Sequence, residues 1–223
     1  LFYRCFRKNT QERAGGNMYC ILVTGIPAAG KTTMAEYLSE RMHLPVFSKD
    51  TVKELLYDHV GFHSRKEKVN LGIAGMEMIY YAAKQLMKVG QPFILENNFE
   101  HISKAGITAL LEEYRYPALT VTLTGDYMAV HQRFLERNIS PARHKGHVLN
   151  DCYPEEREHS LEELKAASLS FEDYLQGIES RGFDTFCVGG KQIVIDTTDF
   201  SKVDMEQILA QVMEWRSSQI SPQ

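Results

Sequence analysis

A glycine, four further residues, a second glycine, a lysine and a threonine follow one another at residues 25–32, and that order is suited to holding phosphate. Gly25 and Gly30 can take backbone angles and approach distances that a Cβ would forbid. The amides of Gly25-Ile26-Pro27-Ala28-Ala29-Gly30-Lys31-Thr32 can therefore turn toward an anion. Lys31 brings a mobile point charge for β- and γ-phosphates, and the hydroxyl of Thr32 can take a coordination position on magnesium. Thr33 adds a second hydroxyl with a less definite role. The apolar stretch Tyr19 to Val23 precedes the run and a helix-compatible segment follows it. In that setting the spacing G-x-x-x-x-G-K-(S/T) works as a phosphate-binding loop, because the helix start supplies free N–H groups and the positive end of its dipole. The expected ligand is a nucleoside triphosphate.

Strand and helix patterns alternate along the rest of the chain, the mark of an α/β fold in which helices cover both faces of a parallel sheet. The loop-bearing strand is predicted at Tyr19 to Thr24, and its helix from Lys31 to Met42. Leu44 to Phe47 reads as a second strand, followed by a helix whose start is a capping box at Thr51-Val52-Lys53-Glu54. Ser64-Arg65-Lys66-Glu67 opens a long helix, apolar at Val69, Ile73, Met76, Ile79, Tyr80, Ala83 and Met87, which ends at Gly90. The methionines and tyrosines of Met76 to Tyr81 are expected in the core. Gln91 to Glu96 and Ala118 to Thr124 are strands; Ser103 to Arg115 and Asp126 to Arg137 are helices. Residues 138–158, rich in Arg, His, Gly and Pro, form a mobile flap with some helix. Ser160 restarts a helix. Phe183 to Val188, Gly189-Gly190 and Gln192 to Ile195 read as a hairpin feeding the last core strand, and Val203 to Trp215 as a closing helix.

Composition fits one ordinary domain: 223 residues, 43% hydrophobic and 24% charged. Residues 1–17 hold four of the 25 basic side chains and one of the 29 acidic ones, which leaves 21 against 28, a net charge of −7, for the rest. That balance argues against gripping long nucleic acid. These seventeen residues read as a flexible extension before a domain at 18–223. Cys5, Cys20, Cys152 and Cys187 are scattered, without a disulfide framework, and no apolar run reaches the ~18–20 residues that cross a bilayer, so a cytoplasmic protein is expected. His144, His147, Cys152 and His159 match no standard spacing of zinc ligands, and zinc is not predicted there.

The loop, together with Ser48-Lys49-Asp50 at the end of the second strand, resembles the P-loop kinase family, in particular the branch with polynucleotide 5′-kinases, zeta-type toxins, chloramphenicol phosphotransferase and unassigned small kinases. The resemblance covers almost everything from Met18 onward. It implies a three-layer α/β/α P-loop NTPase fold with a mainly parallel five-stranded sheet and an arginine-rich lid at about 138–158. It further implies ATP and Mg2+ as ligands, and transfer of the γ-phosphoryl group to a hydroxyl. In such relatives an aspartate at the place of Asp50 faces the acceptor hydroxyl. A carboxylate near a helix start stays ionised, and Thr51 already serves as the expected cap, which leaves Asp50 for chemistry. Lys53 matches a basic acceptor-binding position of polynucleotide kinases, or is a solvated surface lysine. Glu96 ends the run Phe93-Ile94-Leu95 in the form of a Walker B strand, where it would hold a magnesium-bound water. Asn98 and Phe99 lie where ligands meet the carboxyl ends of parallel strands, and are candidate acceptor contacts. Arg133 and Arg137 share one helical face leading to Arg143, similar to the lid arginines of nucleotide kinases. One of these would pack near adenine and the others would meet the phosphates. Asp196-Thr197-Thr198 either flank the base or simply end a strand.

Three further readings belong beside the small-molecule or nucleotide-like kinase: a polynucleotide 5′-hydroxyl kinase, a zeta-like toxin acting on a sugar nucleotide, and a nucleotide-dependent ATPase switch. The sequence has no N-K-x-D base-reading motif and no L-S-G-G-Q signature. The acceptor, the choice between ATP and GTP, and the oligomeric state have no signature in these residues.

Overall fold

The computed structural model describes residues 18–220. Five strands, β1 (Cys20–Gly25), β2 (Val46–Ser48), β3 (Phe93–Glu96), β4 (Ala118–Thr124) and β5 (Lys191–Asp196), form one sheet in the order β2-β3-β1-β4-β5. Every pairing is parallel. The helices are α1 (Lys31–Met42), α2 (Lys49–Val60), α3 (Arg65–Lys88), α4 (Lys104–Tyr114) and α5 (Tyr127–Asn138), then α6 (Lys145–Val148), α7 (Leu161–Ala166), α8 (Phe171–Arg181) and α9 (Met205–Ile220). Short 3-10 turns cover His101–Ser103 and Phe200–Lys202.

The side-chain alternation of a strand divides β1 between two cores. Ile21 and Val23 point to one face and meet Met34 and Leu38 of α1, Tyr174 and Ile178 of α8, and Ile208, Val212 and Trp215 of α9. Cys20 and Leu22 point to the other and meet Ala83 and Met87 of α3, Leu110 and Leu111 of α4, and Phe99, Phe186 and Val188. Both faces of the sheet are thus covered, as an all-parallel sheet requires. Among the described residues no helix is long and apolar enough to cross a membrane.

Four expectations fail, each for a physical reason. Residues 183–188 form no hairpin with the last strand. The Thr120 hydroxyl of β4 donates to the Val188 carbonyl (2.9 Å) and accepts from the Val188 N–H (3.2 Å), so a side chain satisfies this backbone while β5 pairs parallel to β4. The helix after β2 is not capped by Thr51: Ser48 is its N-cap and its Oγ accepts from the Thr51 N–H, so α2 begins two residues before that threonine. The apolar stripe of α3 is not buried along its length. Val69 and Ile73 are 45% and 59% exposed, as are Met78 and Tyr81 at 52% and 67%, while Lys68 is the buried residue of the first turns.

The fourth concerns Phe99, which is fully buried and stacks on Phe186 with ring centroids 5.2 Å apart. Its N–H donates to Thr24 Oγ1 (3.2 Å), and the ring lies in the core outside the cavity described below. Phe99→Ala should therefore destabilise the fold by about 3–5 kcal/mol, read by denaturant unfolding. A stable variant with only a raised acceptor KM would return Phe99 to the binding surface.

Residues 1–17, the predicted extension, lie outside the described residues.

Candidate active site

The loop leaves β1 with Gly25 at φ +130°, where a Cβ would fall 1.9 Å from the Leu123 carbonyl oxygen, and enters α1 through Gly30 at φ +90°, where a Cβ would strike the Phe200 ring. Ala28 takes a left-handed φ of +65° between them. Ile26 and Ala29 turn into the core and anchor the loop, whose Ile26 N–H donates to the Leu123 carbonyl (3.1 Å). From α8, the buried Tyr174 donates its hydroxyl to the Pro27 carbonyl (2.8 Å), a brace that no local pattern announces. Gly30 offers no side-chain cap, so the first N–H groups of α1 are left for an anion.

The carboxyl ends of β1, β2 and β3 and the end of α5 enclose a cavity of about 550 Å3. Pro27, Ala28, Gly30, Lys31, Thr32 and Thr33 line one side; Asp50, Lys53, Glu96, Asn98, Arg133, Arg137, Arg143 and His147 line the rest. A second cleft of about 510 Å3 lies at the amino ends of β4 and β5, where only Lys191 and Glu214 are charged. Parallel sheets bind ligands at their carboxyl ends, and only the first cavity gathers reactive side chains.

Lys31 is buried and its Nζ donates to the Ile26 carbonyl (2.8 Å). Burial pulls its ammonium down to about 8, against the pull of Glu96. The register of β2 against β3 sets Ser48 beside Glu96, and Ser48 Oγ donates to Glu96 Oε2 at 2.5 Å. Burial raises the Glu96 carboxyl, with Lys31 and Ser48 acting the other way. Burial would also raise Asp50, but Lys53, His147, Arg143 and Lys31 outweigh it and hold this carboxyl well below the usual range. Asp50 Oδ1 lies 3.3 Å from Lys53 Nζ, within the first turn of α2.

Three guanidinium groups close the cavity. Arg133 reaches the turn after β5, donating to the Thr198 carbonyl (3.1 Å) and to Thr197 Oγ1 (3.4 Å), so the two segments predicted near a base meet. The Nε atoms of Arg133, Arg137 and Arg143 are buried without a hydrogen-bond partner among the described residues. Burial lowers Arg137 to about 10, with Arg143 adding repulsion, and lowers Arg143 as well. Crowded cations with orphaned donors are stabilised by an anion placed between them. The donor set thus fits a polyphosphate, and the buried Glu96 and the Thr32 hydroxyl, which line the same cavity, fit a hydrated hard cation.

The lid segment is ordered by contacts the sequence did not disclose. Lys68 Nζ donates to the carbonyls of His147 (2.9 Å) and Leu149 and to Asn150 Oδ1 (3.1 Å). His147 pairs with Glu54 at 2.8 Å, and Asp58 accepts from Tyr153 and meets His144 at 3.0 Å. These bonds bring His147 into the cavity, a position its place among the lid histidines did not single out. The predicted site residues outside the cavity are Gly25, Ile26, Ala29 and Phe99; the others line it.

A family model described as AAA domain matches residues 21–163. No curated protein gives a match. Among solved structures, a candidate kinase from Chloroflexus aurantiacus J-10-fl is 24% identical with a TM-score of 0.70, covering 92% of this chain and 100% of that one. A structure described as APE1195 is 15% identical at a TM-score of 0.56, over 93% of this chain and 99% of that one. A sugar kinase from Janibacter sp. HTCC2649 is 14% identical at 0.51, over 89% and 94%. The chain belongs to the AAA domain family and has the fold of a P-loop kinase.

Proposed function

We propose that this protein is an ATP-dependent kinase that transfers the γ-phosphoryl group to a hydroxyl of a small-molecule or nucleotide-like acceptor. One observation carries the reading: a single cavity holds an uncapped helix start with Lys31 on one side, Arg137 and Arg143 across it, and an ionised Asp50 beside them. The amides of the loop and Lys31 bind the phosphates. Magnesium, when bound, would neutralise and orient the phosphate oxygens, held by Thr32 and, through water, by Glu96. Arg137 and Arg143 stabilise charge spreading over the transferring group, Arg133 sits at the nucleotide end, and the lid excludes water. Asp50 orients the acceptor hydroxyl and takes its proton late, since a loose transition state asks little of a base. Lys53 and Asn98 line the acceptor side, where Lys53 also keeps Asp50 ionised.

The acidic balance of residues 18–223 weighs against an acceptor at the end of long nucleic acid. The Janibacter neighbour makes sugars a reasonable acceptor pool. The test is incubation with γ-labelled ATP, magnesium and separate pools of nucleosides, nucleotides, sugars, aminoglycosides and 5′-hydroxyl oligonucleotides. Label on one pool is expected. Label released only as inorganic phosphate in every pool replaces the kinase with an ATPase switch.

A further inference from the structure

The loop between α2 and α3 meets the tail of the lid through an isolated antiparallel bridge, Phe62 with Tyr153. The two residues exchange both backbone hydrogen bonds, at 2.7 and 2.8 Å. Stepping one residue along each segment sets His63 opposite Cys152, and Cys152 Sγ lies 3.3 Å from His63 Nδ1. Glu156 completes the group: the ligand atoms of His63, Cys152 and Glu156 all lie within 4.8 Å of one another.

We propose that His63, Cys152 and Glu156 form a zinc site that clips the tail of the lid to the start of α3. The spacing suits the metal. A sulfur and a nitrogen bound to zinc at about 2.3 and 2.0–2.1 Å with a tetrahedral angle stand roughly 3.5 Å apart. Mixed nitrogen, sulfur and oxygen donors select a borderline ion such as zinc over magnesium, which prefers oxygen alone. His63 and Glu156 are exposed and Cys152 is half-buried, so a water can fill a fourth position. The surroundings also suit a cation. Glu67 Oε2 accepts the His63 N–H at 2.7 Å, fixing that backbone. The carboxylates of Glu156 and Asp151 stand near the Cys152 sulfur, and negative groups around it draw a cation. On binding, the thiol proton passes to solvent and the sulfur coordinates as thiolate.

The other lid histidines are already engaged: His144 with Asp58, His147 with Glu54 and His159 with Glu155. Cys152 therefore finds its partners outside the lid's histidine run, 89 residues away at His63. The clip would act on the same segment that Lys68 holds through the His147 and Leu149 carbonyls. Lid position would then depend on bound zinc.

The test is titration of the metal-free full-length chain with cobalt(II), whose thiolate charge-transfer absorption reports sulfur ligation. One equivalent should bind with that band and be displaced by zinc. Cys152→Ser should abolish the band, His63→Ala and Glu156→Gln should weaken binding at least about tenfold, and Cys187→Ser should change nothing. A cobalt ion held by oxygen ligands near Thr32 and Glu96 would lack the band. Absence of the band at saturation, or its survival in Cys152→Ser, overturns the site. Zinc should also slow amide exchange at Phe62 and Tyr153 in the full-length chain, and unchanged exchange there overturns the clip.

Discussion

Lys31→Met should lower phosphoryl transfer about a thousandfold or more while leaving the fold at least as stable as before. Methionine keeps the buried stem and removes only the charge. The lysine is 7% exposed, and burial draws its ammonium down to about 8 from the usual 10.5. Its folded value lies below its unfolded one, so the buried charge opposes folding below about pH 8. That opposition fades as the pH rises into the ordinary lysine range. At neutral pH the variant is relieved of this cost and loses one hydrogen bond, to the Ile26 carbonyl. The wild type recovers the cost only when an anion enters the cavity. ATP should therefore raise the melting temperature of the wild type and have little effect on the variant. Full activity in Lys31→Met, measured at saturating ATP, would remove the loop from the mechanism.

The parts legible in the sequence are those built from neighbours in the chain. Gly25 to Thr32 form a strand-loop-helix turn from their own backbone and one following helix, so spacing alone located that turn. The helix predicted to restart at Ser160 is likewise local: Ser160 and Glu163 form a capping box at the start of α7. Partners far apart in sequence set the rest. Phe99 stood at the expected strand end, but Thr24 and Phe186 turn it inward. Val69 and Ile73 had a buried helix face by period, yet the lid occupies only the adjoining face, where Lys68 is needed. Thr51 offered a capping box, but Ser48, drawn to Glu96 by the β2–β3 register, takes that place and serves both elements. Tyr174 braces Pro27 across 147 residues, a separation that no local pattern encodes.

Asp50→Asn should bind ATP as well as the wild type or better, and lose about 10²- to 10⁴-fold in transfer to the acceptor. The two effects have opposite signs because one charge serves them differently. Asp50 lies half-exposed among Lys53, His147, Arg143 and Lys31, which hold it ionised against partial desolvation. Removing its negative charge frees those cations for the polyphosphate, so the ATP dissociation constant should stay level or fall. The acceptor hydroxyl loses the group that orients it and takes its proton, so the single-turnover rate should collapse. Asparagine keeps the shape, and the helix start does not depend on this side chain, because Ser48 caps α2. The cap is therefore kept, but a carboxyl held below its usual range contributes stability at neutral pH that asparagine lacks, so the melting temperature should fall somewhat and recover with ATP. Calorimetric titration with ATP and single-turnover transfer with γ-labelled ATP measure the two arms separately. Near wild-type transfer would reduce Asp50 to an electrostatic neighbour of Lys53, and weakened ATP binding with unchanged transfer would place it on the nucleotide side of the cavity.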